Sequence, residues 1–113
     1  MAALGGEVPE VAALRETYRQ RGLLLSGILA DAPNCRVIPP EGGMFVLLDV
    51  RGTGRGAEDF ARELVEREDV ALVPCDGFGP GAVGHLRIAL TAPEARLEEA
   101  GRRIVRFARV LGG

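Results

Sequence analysis

The sequence predicts an α+β domain in which a small, mostly antiparallel sheet is covered by helices. Apolar residues recur with helical spacing over residues 8–30 and again after Thr91, which indicates amphipathic helices near both ends of the chain. Between them, short apolar runs bounded by glycine and proline flank one further helical segment. The predicted order is helix, strand, strand, helix, strand, strand, helix, which suits a sheet with helices packed on one side.

Length and composition predict one domain with one core. The chain has 113 residues, of which 47% are apolar. A formal charge of −2 and a pI near 5.4 give no electrostatic reason to expect nucleic acid or an anionic membrane as a partner. No apolar run approaches the length of a membrane span, and the first residues do not resemble a secretory signal. We therefore expect a cytoplasmic protein that binds neither nucleic acid nor membranes.

The first helix is predicted over residues 8–30, and a short strand follows it. Polar side chains occupy the opposite face of this helix, and Pro33 with Asn34 ends it. The segment "CRVI" at 35–38 then precedes the turn "PPEGG" at 39–43. The apolar stripe of the helix consists of Val11, Leu14, Tyr18, Leu25, Ile28 and Leu29.

The central part of the sequence predicts a strand, a helix and a second strand. The continuous apolar run "MFVLLDV" at 44–50 is typical of a strand buried on both faces. The turn "RGTGRG" leads to a helix at about 57–67, and "VALVP" at 70–74 is a short strand. The inward-facing residues of the helix are predicted to be Phe60, Ala61, Leu64 and Val65.

The last part of the sequence predicts a loop, a strand and a helix. Glycine and proline content indicates a loop at 75–84, and the strand "GHLRIAL" at 84–90 contains an arginine at its centre. Thr91 and Glu94 have the spacing of a capping box, and Pro93 suits a first helical turn. The apolar stripe of this helix consists of Leu97, Ala100, Ile104, Ala108 and Leu111.

Two features could be mistaken for chemical sites. Glycines between a strand and a helix in "RGTGRG" could meet a phosphate, but their G-x-G-x-G spacing is out of register for a dinucleotide site, which favours a plain turn. His85 could act as a general base, but no nucleophile motif accompanies it and Ser26 is the only serine. We interpret His85 as a polar residue at the start of a strand, and the carboxylates around residues 58–69 as a solvated face.

The cysteine and lysine content of the sequence argues against several kinds of chemical site. Cys35 and Cys75 are isolated and the chain has one histidine, so neither a zinc site nor a disulfide is indicated. All 14 basic residues are arginines. The absence of lysine excludes a Schiff-base lysine and a phosphate-loop lysine from these 113 residues.

Arg87 raises the sharpest question, because a guanidinium stays charged and is costly to bury without an anion. One interpretation is a strand residue that points to solvent or pairs with a nearby acid. The other is a planar fork that binds a carboxylate through two parallel hydrogen bonds. Alternation alone cannot decide which face of the sheet Arg87 occupies, so both interpretations stay open at this level.

Four segments resemble the small C-terminal domain of the class I and II aminotransferases, which are pyridoxal-phosphate enzymes of fold type I. The resemblance spans nearly the whole chain, 1–113, and its segments keep the family's order and spacing. It implies that residues 8–30 form the helix that leads in from a large domain absent from this sequence. The segments are "RETYRQRGLLL" (15–25), "PPEGGMFVLLDV" (39–50), "FARELVEREDVALVPCDGFGPGAVGHLRIAL" (60–90) and "TAPEARLEEAGRRI" (91–104).

This resemblance implies a substrate-binding role for three residues. In the family, the arginine of the corresponding strand binds the α-carboxylate of the amino-acid or 2-oxo-acid substrate, which would orient the substrate over the cofactor. Carried over, that arginine is Arg87. The loop containing Phe78 would lie near the substrate side chain, and Gly43 with Gly42 would let the preceding turn approach the site closely. No residue of this chain is implied to be catalytic.

The resemblance also implies what the chain leaves to the rest of the enzyme. Pyridoxal 5'-phosphate serves the full-length enzyme, but its Schiff-base lysine and its ring and phosphate contacts belong to the large domain. We therefore expect the 113 residues alone to bind no cofactor and to be inactive, and the full-length enzyme to be a homodimer. Related lyases and regulators with this domain, or a stand-alone carboxylate-binding or interaction module, remain alternatives.

Overall fold

The computed structural model describes residues 9–38, 44–75, 77 and 80–112. Its helices are α1 (Pro9–Leu29), α2 (Ala57–Glu68) and α3 (Glu94–Gly112), with short 3-10 turns at Arg51–Thr53 and Pro80–Ala82. Its strands are β1 (Arg36–Ile38), β2 (Phe45–Asp49), β3 (Val73–Pro74) and β4 (His85–Ala89). The strands form one antiparallel sheet in the order β1-β2-β4-β3. The predicted α+β class and the predicted order of elements are confirmed.

The pairing of β2 with β4 defines the two faces of the sheet. Val46 lies opposite Ile88 and Leu48 lies opposite Leu86. All four side chains are buried against the helices, because residues two apart on a strand share a face. The residues between them belong to the other face, which the helices leave uncovered and which we call the open face.

The expectation that residues 44–50 are buried on both faces is wrong. Phe45 and Leu47, on the open face of β2, are only half-buried. An antiparallel sheet commonly packs one face on the core and leaves the other accessible. A continuous apolar run cannot distinguish that arrangement from full burial, because both place large apolar residues at every position.

The core lies between the sheet and the three helices. Phe60 of α2 and Phe107 of α3 pack edge to face, with ring centroids 5.0 Å apart and an interplanar angle of 76°. Leu25 and Leu29 of α1 and Ile104 of α3 are fully buried in the same cluster. One continuous apolar cluster therefore joins every helix to the helix-facing side of the sheet.

Only the second half of α1 packs on this core. Val11 and Leu14, from the predicted stripe of this helix, are 45% and 51% exposed. Further along, the Nη1 of Arg21 donates a hydrogen bond of 2.9 Å to the carbonyl oxygen of Leu90, and its Nε lies 3.4 Å from Glu94. Arg21 thus ties α1 to the end of β4 and the start of α3, while the described residues leave Val11 and Leu14 near the start of the helix largely uncovered.

The other two helices differ from the predictions in detail. Val65 of α2, predicted to face inward, is 46% exposed. The helix α3 begins at Glu94, and the carbonyl of Pro93 accepts the backbone N–H of Leu97, so Pro93 holds the position before the helix. The predicted capping box is therefore wrong, because Thr91 lies too far ahead of the first helical turn.

One acidic residue of α2 departs from the expected solvated face. The Glu68 carboxylate accepts hydrogen bonds from Arg106 of α3, which hold its pKa below the ordinary value. The carbonyl oxygen of Glu68 accepts a further hydrogen bond of 2.8 Å from Arg103. These contacts join the end of α2 to α3.

The glycine-rich turn between β2 and α2 has a packing explanation. A Cβ atom built at Gly52 would lie 2.5 Å from the carbonyl oxygen of Asn34, so only glycine lets these two turns meet. The helix that follows has Glu58 and Asp59 in its first turn, where their negative charge disfavours a bound anion. Both observations favour the plain turn over a phosphate site.

Candidate functional site

Arg87 lies at the centre of β4 on the open face of the sheet. In the strand register it faces Leu47 of β2 on one side and Val73 of β3 on the other. Its side chain is half-buried, and the helices lie on the opposite side of the sheet. The structure therefore decides the question of orientation that the sequence left open.

A cavity of about 400 Å³ opens on this face around Arg87. Apolar side chains form most of its wall, so an anion bound beside Arg87 would be partly shielded from water, which strengthens its attraction to a cation. The residues that line it are Ile38, Phe45, Leu47, Cys75, Gly81, Ala82, His85 and Arg87.

The guanidinium of Arg87 stacks on an aromatic ring. Its central carbon lies 4.6 Å from the centroid of the Phe45 ring, within the range of a cation–π contact. Phe45 is diagonal to Arg87 across the β2–β4 pair, because its direct partner is Ala89. Ala89 is small, which leaves room for the guanidinium to lean toward the ring.

A second group of polar residues lies at the other end of the same face. Asp49 is paired with His85 in the register, and both are buried. Arg51 donates two side-chain hydrogen bonds to the Asp49 carboxylate, from Nε to Oδ1 at 3.0 Å and from Nη2 to Oδ2 at 2.7 Å. These bonds, with one from the backbone N–H of Arg51, lower the pKa of Asp49 to about 2 against the opposing effect of burial.

The His85 imidazole makes a hydrogen bond through one nitrogen and faces a carboxylate with the other. Nδ1 lies 3.0 Å from the carbonyl oxygen of Val83, which can only accept, so Nδ1 carries the proton of this hydrogen bond. Nε2 lies 3.8 Å from Oδ2 of Asp49. The ring is thereby fixed between the end of β2 and the turn that precedes β4.

The turn before β4 is packed beneath Arg51. Gly84 has a φ of 79°, and a Cβ atom at this position would lie 2.2 Å from Cγ of Arg51. The carbonyl oxygen of Gly84 accepts a hydrogen bond of 2.9 Å from the backbone N–H of Val50. Glycine here serves both the left-handed backbone and the path of the arginine side chain.

The predicted site residues are only partly described by the structure. Arg87 is placed as described above, whereas Gly43 and Phe78 lie outside the described residues. Sequence reasoning missed Phe45, Asp49 and Arg51 as neighbours of the site. Their signal is the two-residue alternation along β2, which becomes informative only when the register with β4 is known.

The two cysteines form no disulfide and have different surroundings. Cys75 is buried and lines the cavity, and its backbone N–H donates to the carbonyl of His85 at 2.9 Å. Cys35 is half-buried, and burial together with the nearby Asp49 charge raises its thiol pKa to about 11. Within the described ranges, no cluster of three or more His, Cys, Asp and Glu residues could hold a metal ion.

None of the helices in the described part of the chain is long and apolar enough to cross a membrane.

The sheet is covered by helices on one face and carries an arginine in an apolar cavity on the other. A guanidinium in such a cavity has the chemistry to pair with a small anion. Comparison with known proteins defines the family. Residues 1–104 match the model of the family described as aminotransferase class I and II. The chain therefore belongs to the class I and II aminotransferases, which are pyridoxal-phosphate-dependent enzymes of fold type I.

The individual proteins that the chain resembles are also named as aminotransferases. The chain is 44% identical to arginine–pyruvate transaminase AruH of Pseudomonas aeruginosa over 98% of this chain and 28% of that protein. It superposes on an aromatic aminotransferase from Pyrococcus horikoshii with a TM-score of 0.83 and 27% identity, covering 89% of this chain and 27% of that one. A PLP-bound putative aminotransferase from Clostridium difficile gives a TM-score of 0.69 and 30% identity, covering 85% and 24%. The chain thus spans about a quarter of the length of these relatives.

The residues of this chain do not by themselves fit the cofactor of the family. Pyridoxal phosphate is held covalently through a lysine, and the 113 residues contain none. The lining of the described cavity offers one arginine and one histidine, and the histidine has both nitrogens directed at oxygen atoms of the chain. The cavity suits the carboxylate of a substrate better than the cofactor.

Proposed function

We propose that the chain is the small domain of a pyridoxal-phosphate-dependent aminotransferase, in which Arg87 binds the α-carboxylate of the amino-acid and 2-oxo-acid substrates. The observation that carries this proposal is the position of Arg87, which lies half-buried in an apolar cavity on the open face of the sheet. Membership of the aminotransferase family supports it. In this proposal residues 8–30 lead in from a large domain.

The contribution of Arg87 is binding and orientation. A guanidinium donates two parallel hydrogen bonds to a carboxylate, which fixes both the position and the plane of the substrate's carboxylate group. The ring of Phe45 packs against the guanidinium, which favours the orientations that keep this contact, and the apolar wall limits competition from water. The cofactor, which we assign to residues of the large domain, supplies the chemistry of amino-group transfer.

The exposed apolar residues in the first half of α1 support the proposal that a large domain packs against this helix. Val11 and Leu14 present an apolar stripe that the described part of the chain leaves uncovered. We propose that the large domain covers it, and that the complete enzyme is a cytoplasmic homodimer of amino-acid metabolism. Alone, the chain would bind no cofactor and catalyse no transamination.

The test is complementation with a separately expressed large domain. Because one relative is named for arginine and pyruvate, these are the first substrates to supply. We expect no change in the absorbance of pyridoxal phosphate when the chain is added alone. We expect amino-group transfer when both parts are present, and a raised KM for the amino acid with Arg87→Gln, so that transfer falls at low substrate concentration. Glu63→Gln breaks the ion pair of this α2 residue with Arg55 in the preceding turn, away from the cavity around Arg87. It is the matched control and should transfer normally.

Two outcomes would count against the proposal. Transamination by the lysine-free chain alone would overturn the assignment of the cofactor to a large domain. A folded, cofactor-loaded large domain that gains no activity from the chain would favour the alternative of a stand-alone carboxylate-binding or interaction module. That alternative predicts affinity of the isolated chain for a simple carboxylate, lost in Arg87→Gln.

A further inference from the structure

Among the described residues, the strands place four positions next to Arg87 on the open face, in addition to the diagonal contact with Phe45. Leu47 and Val73 lie beside it on the adjacent strands. Along β4, His85 lies two residues before Arg87 and Ala89 two residues after it, so both share its face of the sheet. The rise of a strand places each about 6.5 Å from Arg87 along the backbone. Ala89 is small and leaves the side toward the aromatic ring open. The imidazole closes the opposite side.

The imidazole can close that side because it is itself fixed. His85 has a side chain only 8% exposed, with Nδ1 bonded to the Val83 carbonyl and Nε2 facing the Asp49 carboxylate. Asp49 is in turn held by two hydrogen bonds from Arg51. The stem of that arginine crosses Gly84, where any larger residue would collide with it. The chain of contacts runs from Arg51 through Asp49 to His85, beside Arg87.

We propose that His85, held by Asp49 and Arg51, is a positioning residue that directs the Arg87 guanidinium toward Phe45 and into its carboxylate-binding orientation. This inference rests on the proposed role of Arg87. None of the three residues needs to touch the substrate, because the nitrogens of His85 are directed at the protein and Arg51 is engaged with Asp49.

The consequence concerns binding rather than chemistry. An arginine with several rotamers must lose that freedom when it binds, whereas one restricted in advance loses less. A carboxylate contact held equally in the ground state and the transition state changes KM and leaves kcat unaltered. We call His85, Asp49 and Arg51 the positioning array. Loss of its contacts should therefore raise KM for the amino acid without a matching fall in kcat.

The experiment is a double-mutant cycle in the enzyme assembled from this chain and its large domain. His85→Ala should raise KM for arginine about twofold to tenfold, the range expected when one long side chain loses its preorganised rotamer. Combined with Arg87→Gln, the same substitution should raise KM no further, because there is no guanidinium left to direct. A role limited to stability would lower the melting temperature and leave KM unchanged.

Conservative variants separate the two contacts of the imidazole. An asparagine amide can replace Nδ1, so His85→Asn keeps the bond to Val83 and loses the contact with Asp49. A glutamine amide can replace Nε2, so His85→Gln does the reverse. We expect Gln to restore KM better than Asn, and Asp49→Asn to raise KM in the same direction as His85→Asn. Glu63→Gln is the control that should leave KM unchanged.

The outcomes are distinguishable from failure of the proposed function. If Arg87→Gln leaves KM unchanged, the carboxylate role itself is wrong. If Arg87→Gln raises KM but His85→Ala has no effect, or has an equal effect with and without Arg87, only the positioning role is wrong. The single histidine of the chain also gives one imidazole signal in NMR spectra, which should shift in Asp49→Asn if the two residues are coupled.

Discussion

The central carbon of the Arg87 guanidinium lies 4.6 Å from the centroid of the Phe45 ring. The contact spans two strands diagonally and places the guanidinium over an aromatic ring. An arginine stacked in this way still directs N–H groups outward in its own plane, where a carboxylate binds. This relationship connects the packing of the open face to the proposed recognition of substrate.

Replacing Phe45 should weaken the binding of substrates through Arg87. A cation–π contact contributes about 0.5–2 kcal/mol depending on exposure, so Phe45→Leu should raise KM for the amino acid by about twofold to thirtyfold. Phe45→Tyr retains an aromatic face and should stay near the parent value. Steady-state kinetics of the complemented enzyme measures both. An equal KM for the Leu and Tyr variants would show that the ring does not orient the guanidinium.

Acid stability should depend on Asp49. The pKa of this residue is lowered from 3.8 to about 2, first by hydrogen bonds from Arg51, so the unfolded chain binds a proton at a pH where the folded chain does not. The stabilisation is present above pH 4 and is lost as pH falls toward 2. Urea unfolding at steps between pH 5 and 2 should show a steeper loss for the parent than for Asp49→Asn.

The matched control for this titration is Glu63→Gln, which removes a different ion-paired carboxylate. Because Asp49 is intact in this variant, the loss of stability that Asp49 causes between pH 4 and 2 should remain. Parallel profiles for the parent and Asp49→Asn would contradict the lowered pKa.

Two glycines should respond to alanine with opposite signs. A Cβ at Gly52 would meet a backbone oxygen at 2.5 Å, so Gly52→Ala should destabilise the chain by about 1–3 kcal/mol, as overpacking does. A Cβ at Gly27, exposed within α1, would meet nothing within 4 Å. Gly27→Ala should therefore stabilise by about 0.5–1 kcal/mol through helix propensity. Chemical denaturation measures both, and a stable Gly52→Ala would contradict the close approach.

Periodicity was sufficient to predict most elements of this fold. The order of helices and strands follows from local patterns, because each element shows its own spacing of apolar residues and its own glycine or proline boundary. The same reasoning placed Arg87 inside a strand. Periodicity could not show which face of the sheet Arg87 occupies, because apolar residues both precede and follow it in the sequence.

The positioning array could not be predicted, because it depends on strand register. Asp49 is the last residue of β2, within an apolar run. Arg51 belongs to a glycine-rich turn, and His85 begins a strand 34 positions later than Arg51. Each has an ordinary local interpretation, and only the pairing of Asp49 with His85 brings them together. Val65 was misassigned for a related reason. The apolar pattern of α2 shows the direction of its buried face but not how many residues of that face the core covers.

Cys35 should be a slow nucleophile despite its partial exposure. Burial and the nearby Asp49 charge raise its pKa to about 11, so at pH 8 the thiolate fraction is smaller than that of an ordinary thiol with a pKa near 8.5 by about two orders of magnitude. Alkylation with iodoacetamide should be slower than that of free cysteine by about that factor. Cys75→Ala isolates the rate of Cys35, and Asp49→Asn in the same background should speed the reaction by removing the repelling charge. A rate like that of free cysteine would show that Cys35 is not desolvated.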